Sequence, residues 1–206
     1  MTRIPRPLPV LLAACLLATG CSSLIGGPRE TPTIYAPEPV IQADPGWPAV
    51  DWTLTIARPG EARMMDGQRI AVSPVPGEVQ VYRGALWART PGEMVEDAVL
   101  RTLEDSGRIP VVTRHGSGIA ADYRLLLDVR TFKADYAGNA MPSAIVEVNA
   151  QLVQTGRIVA SRTFRQATPA SGTEVARVAD AFTQALGALG HDVAGWTLQA
   201  GSAHPR

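Results

Sequence analysis

The sequence predicts an α+β domain: a mainly antiparallel sheet with two helices packed on one face. Three observations carry that prediction. Apolar and polar residues alternate in seven stretches between Trp52 and Gln166. Two other segments place apolar residues at helical spacing behind capping signals. The strand-like segments outnumber the two helices, which reads as α+β with the helices packed on the sheet. With 206 residues, 46% of them hydrophobic and 18% charged, the chain holds one globular domain with appendages rather than a disordered polymer.

The first stretches, Trp52 to Ala57, Arg69 to Ser73 and Glu78 to Tyr82, read as strands, with a turn at Pro74-Val75-Pro76-Gly77 between the last two. The segment Tyr82 to Arg89 then reads as a turn that sets Trp87 just ahead of a helix. Thr90-Pro91-Gly92-Glu93 supplies an N-cap, a proline at the first helical position and a glutamate at N3. Val95, Ala98, Val99, Thr102 and Leu103 form its apolar stripe, and Gly107 supplies the stop. The acid pairs Glu96-Asp97 and Glu104-Asp105 read as a solvated helix face.

Further strands are expected at 110–114, 122–136, 144–154 and 158–166, the last two joined as a hairpin at Gln154-Thr155-Gly156-Arg157. A second helix is expected behind the capping box Ser171-Gly172-Thr173-Glu174, with the stripe Val175, Val178, Phe182, Leu186, Leu189, Val193 and Trp196. Gly187, Gly190 and Gly195 weaken it in isolation, by up to about 1 kcal/mol each relative to alanine. Packing on a sheet accounts for its survival.

Ahead of the domain, Arg3 and Arg6 precede the apolar stretch Leu8 to Ala18, which is the length of a secretory signal and too short to span a bilayer. Residues Leu17 to Gly20 before Cys21 resemble the lipobox of bacterial lipoproteins, so Cys21 is the expected lipidation site. Leu12-Ala13-Ala14-Cys15 is a competing match, but cleavage there leaves a very short apolar stretch. Chance cysteines in an ordinary secreted protein are the third alternative. The expected organisation is a lipoprotein signal peptide at 1–20, the lipidated cysteine with a proline-rich tether at 21–50, the domain at 51–200 and a tail at 201–206. Six prolines between Pro28 and Pro48 favour an extended chain, tethering to about residue 44 and docking from there on Trp47 and Trp52.

Several function classes are excluded or left without support. A formal net charge of zero denies the chain the basic footprint of a nucleic-acid binder. No His-Glu-x-x-His, Cys-x-x-Cys, calcium loop or phosphate loop occurs, so no metal or cofactor is expected. His115 lies in the loop Arg114 to Gly118, His191 on the second helix and His204 in the tail; none sits in a nucleophile motif. Trp87 is either a core residue or an aromatic anchor for a partner, with Tyr82 and Tyr35 as companion candidates for partner contact. The loop Ala134 to Pro142 is a connection or a protruding hairpin tip.

The order of these parts resembles the ABC-type transport auxiliary lipoproteins (PqiC-like). The matching residues are Cys21, Thr33-Ile34-Tyr35, Leu86-Trp87-Ala88, Pro91 to Gly107, Ala121-Asp122-Tyr123-Arg124-Leu125 and Val178 to Leu189. Leu86 departs from the pattern, since the family often has Arg before the Trp. The resemblance implies a non-catalytic, lipid-anchored partner of an ABC permease and ATPase carrying an Mce (MlaD-like) periplasmic protein. It would sit on the periplasmic side of the outer membrane of a Gram-negative cell, in a system that moves phospholipids or other hydrophobic molecules between membranes. A homo-oligomer is compatible with it. The same parts also suit an envelope lipoprotein acting in structure or outer-membrane assembly. A periplasmic enzyme would need His115 or His191 in a cleft beside an acid.

Overall fold

The structure, a computed structural model, describes residues 31–40, 43–61 and 67–204. The expected signal peptide, Cys21 and the first prolines lie outside the described residues. Among the described residues from Pro32 onward, nine strands form a single mixed sheet, accompanied by two helices.

The strand β7 (Tyr123–Asp135) organises the sheet. On one side β8 (Ser143–Gln154) runs antiparallel along its full length, and β9 (Arg157–Pro169) lies antiparallel outside β8. On its other side three short strands follow one another, all parallel to it: β2 (Thr53–Ile56), β3 (Gly60–Glu61) and β4 (Arg69–Ser73). Outside these lie β6 (Val111–Arg114), parallel to β2, and β5 (Gln80–Trp87), antiparallel to β4. The strand β1 (Thr33–Tyr35) pairs in parallel with the end of β5. The α+β class is as expected, and the longest ladders are antiparallel. The sheet is nonetheless mixed, because alternation reveals which face is buried and not the direction of the neighbour.

Local chemistry explains the regular elements. Along β7, Tyr123, Leu125, Leu127 and Val129 face the core, and then the phase changes to Phe132 and Ala134. The register shift between Val129 and Thr131 is the bulge that makes that change. The β8–β9 hairpin turns on Thr155 (φ 46°) and Gly156 (φ 79°), two left-handed residues that match the twist of the strands. The helix α1 (Pro91–Ser106) begins with the expected reciprocal cap: Glu93 N–H donates to Thr90 Oγ1 at 3.3 Å, and Thr90 N–H donates to the Glu93 carboxylate at 2.8 Å. Gly107 closes it in the left-handed conformation (φ 60°).

The second helix, α2 (Val175–Ala203), packs over β8 and β9 and against α1, which packs on β6 and β7; both lie on one face of the sheet, as expected. Its core contains Trp87 at 5.1 Å from Phe182, with Phe132 stacked on Phe182 at 4.6 Å, measured between ring centroids.

Four expectations are corrected. The proline-rich segment is already docked at β1, where Tyr35 carbonyl accepts from Ala88 N–H at 2.8 Å, instead of joining the fold near residue 44. Gly84, at φ 66°, carries β5 through an irregularity, so 83–87 continue the strand and do not form a turn. The Ser171 capping box is not used: α2 starts a turn later with Glu174 as N-cap and no side-chain cap. Ala170 N–H still bonds the Pro142 carbonyl at 2.9 Å, which keeps the chain on the sheet at the residue before Ser171. At the other end α2 runs to Ala203, so 201–203 are helical and not tail. Tyr123 explains that extension, since its hydroxyl reaches the carbonyls of Gly201 (3.3 Å) and His204.

Candidate functional site

The helices cover one face of the sheet and leave the other face of β4 and β5 without a covering layer among the described residues. The alternation that buries Ile70 and Val72 on β4, and Ala85 and Trp87 on β5, turns Arg69, Ala71 and Leu86 outward, and the break at Gly84 lets Val81, paired with Ala71, face outward as well. A cavity of about 650 Å³ opens there, lined by those four residues together with Gly67, Gln68, Val79 and Gln80. Ile34 on β1 is aligned with Leu86 and is 65% exposed. Val79 and Val81 are also large exposed apolar residues. The result is an apolar strip at the edge of the sheet formed by the segment that enters the domain first. From Gly67 to Trp87 the chain carries Arg69 and Arg83 against the single acid Glu78.

A second, polar cleft of about 520 Å³ lies where the carboxyl ends of β2 and β6 meet the start of α1. Arg58, Pro59, Thr90, Glu93, Glu96, Arg114 and His115 line it. Beneath it, Asp97 is buried and is held by Arg89 and Arg114, and Arg114 also reaches Glu96 at 3.4 Å. Burial pushes the Glu96 carboxyl above its ordinary value, and Arg114 and Arg58 partly oppose that shift. Glu96 and Asp97 are therefore not the solvated face expected of them, whereas Glu104 and Asp105 are exposed. Helical spacing put Glu96 and Asp97 off the apolar stripe, and nothing local announced that two arginines from other elements would close over them.

The residues singled out for partner contact are not brought together as a surface. Trp87 is 1% exposed, so it is core and is withdrawn as a surface anchor; its indole closes the contact between β5 and α2. Tyr82 is half-buried, its hydroxyl pushed up to about 12 by burial with Tyr136 beside it. Tyr35 is half-buried on β1. Cys21 lies outside the described residues. His115 is exposed on the rim of the polar cleft, His191 packs on the indole of Trp47 (4.9 Å between ring centroids), and His204 caps the end of α2. Among the described residues no three His, Cys, Asp or Glu side chains gather as a metal site, and no helix is long and apolar enough to cross a membrane. Sequence reasoning missed the apolar strip; its signal was the pair Val79 and Val81, exposed just before and at the start of β5, a strand whose pattern is broken at Gly84.

Comparison with known proteins places this architecture. A family model described as the ABC-type transport auxiliary lipoprotein component matches residues 33–194. The crystal structure of protein XCC0632 from Xanthomonas campestris is 48% identical, with a TM-score of 0.80 over 83% of this chain and 97% of that one. A second crystal structure shares the fold at 14% identity, with a TM-score of 0.63 over 80% of this chain and 97% of that one. Protein bll6063 of Bradyrhizobium diazoefficiens is 27% identical over 149 residues, 72% of this chain; the chain spans 40% of the length of that curated relative. The matched span begins at β1, the strand the proline-rich segment contributes, and runs through α1 and β7 into α2. On that span the chain belongs to the family of ABC-type transport auxiliary lipoprotein components.

Proposed function

We propose that this chain is the non-catalytic, lipid-anchored periplasmic component of an Mce-type ABC transport system that moves phospholipids or other hydrophobic molecules between the envelope membranes. The family match from β1 to α2 is the observation that carries the reading. The Cys21 lipobox supports an acyl anchor, and the serines that follow it fit retention at the outer membrane. Acylation of Cys21 with more than one chain gives stable anchoring, which a single chain does not. The partners on this reading are an Mce (MlaD-like) protein with its permease and ATPase. Docking by strand addition is available at β9, which pairs only with β8 among the described residues.

The test is capture of the tagged, cross-linked lipoprotein from native membranes with mass spectrometry of what is retained. An Mce-domain protein together with permease and ATPase is the expected result. Recovery of outer-membrane assembly machinery with no ABC component supports instead a structural role in the envelope.

A further inference from the structure

We propose that the apolar strip of β1, β4 and β5 is a bilayer-contact face, which lays this edge of the domain against the membrane that holds its anchor. The inference rests on the lipoprotein reading of Cys21. Twelve peptide steps separate Cys21 from Thr33, the first residue of β1. At no more than about 3.6 Å per residue, that chain reaches roughly 40 Å at full extension. The domain therefore stays within about its own diameter of the anchoring leaflet, at the high effective concentration that lets a weak surface contact persist. The segment that arrives from the anchor is itself part of the strip, through Ile34 beside Leu86.

The composition of the strip matches a lipid interface. Ile34, Val79, Val81 and Leu86 supply apolar side chains, and Arg69 and Arg83 flank them, where their guanidinium groups meet lipid phosphates. The outward face of β7 to β9 has the opposite character. Two of its cross-strand rows are Asp128, Asn149 and Thr163, and Thr131, Glu147 and Arg165, which offer a bilayer little apolar area. Two regions of the sheet's uncovered face thus differ in the way a tethered domain needs in order to settle in one orientation.

The test uses the protein purified from membranes and returned to phosphatidylethanolamine–phosphatidylglycerol vesicles, with a photoreactive amino acid at position 81 or, as control, at position 163. The mass of the Cys21 peptide is read first. If it carries no lipid, the anchor reading has failed on its own terms, and the thiol of Cys21 is coupled to a maleimide lipid so that the face is still tested. The expected result is lipid adduct formation from position 81 at least tenfold above position 163, and its loss in Val79→Glu. Equal labelling at both positions, or adducts from position 81 to a second copy of the chain or to another protein in place of lipid, overturns the proposal.

Discussion

Gly195 of α2 lies directly under the indole of Trp47: a Cβ at that glycine would fall 2.6 Å from the Trp47 Nε1. The same helix meets the backbone of α1 at Gly190, where a Cβ would fall 2.9 Å from the Ala98 carbonyl oxygen, and it meets the Trp52 indole at Gly201. These glycines are notches that let the helix approach its neighbours.

Gly190→Ala and Gly195→Ala are therefore expected to destabilise by about 1–3 kcal/mol each, as overpacking does. Gly187→Ala is expected to act in the opposite direction, since its nearest neighbour, Pro39 Cβ, lies at an ordinary 3.4 Å. The gain is up to about 1 kcal/mol from helix propensity. Thermal unfolding of the three variants checks the contrast in sign.

Replacing Trp87 by alanine is expected to cost about 3–5 kcal/mol, the range for large aromatic truncations in a core. The exposed Ile34→Ser change is expected to stay within about 0.5 kcal/mol. If Trp87→Ala weakens partner capture, circular dichroism should show the fold lost in parallel.

The pair Glu96 and Asp97 separates two electrostatic roles. Asp97 is ion-paired with Arg89 and accepts from Arg114, so Asp97→Ala leaves both guanidinium groups without their shared acid and should cost about 1.5–3 kcal/mol. Glu96 has a raised pKa, so the folded state holds its proton more tightly than the unfolded chain does. The stability it contributes is present on the acid side and is lost as pH rises from about 4.3, the ordinary glutamate value, through the raised one. Glu96→Gln should make stability shallower in pH across that window, as read by denaturant unfolding at a series of pH values.

Tyr82 gives an independent check at the alkaline end. Its folded value of about 12 lies above the ordinary 10.0, so its contribution is intact below 10.0 and is lost as pH rises through about 12. Ultraviolet titration of the folded protein should show a late tyrosine step that disappears in Tyr82→Phe.

The parts legible in the sequence were those set by near neighbours. Thr90, Pro91, Glu93 and Gly107 delimit α1 because a cap is a local hydrogen-bond arrangement. Ser171 shows the limit of such signals, because a capping pattern is idle where a strand is still holding the chain. The glycines of α2 looked like weaknesses since their partners, Trp47, Trp52 and Ala98, lie far away in sequence. The same distance hid the parallel pairing of β2 with β7 and of β1 with β5. The apolar strip was hidden for the same reason, since Ile34 joins Val79 and Val81 only through the pairing of β1 with β5.

The way β2, β3 and β4 share one side of β7 also has a kinetic meaning. The side chain of Asp122 accepts from the backbone N–H and hydroxyl of Thr53 across 69 residues, and all three strands pair with a β7 made long after them, although β4 also has β5 close by in sequence. Closing such long loops is slow, and until β7 emerges β2, β3 and β4 lack the strand that joins them into one sheet. The N-terminal half of this domain thus waits on β7 to complete its pairing, whereas the β7–β8–β9 meander can zip from its own turns.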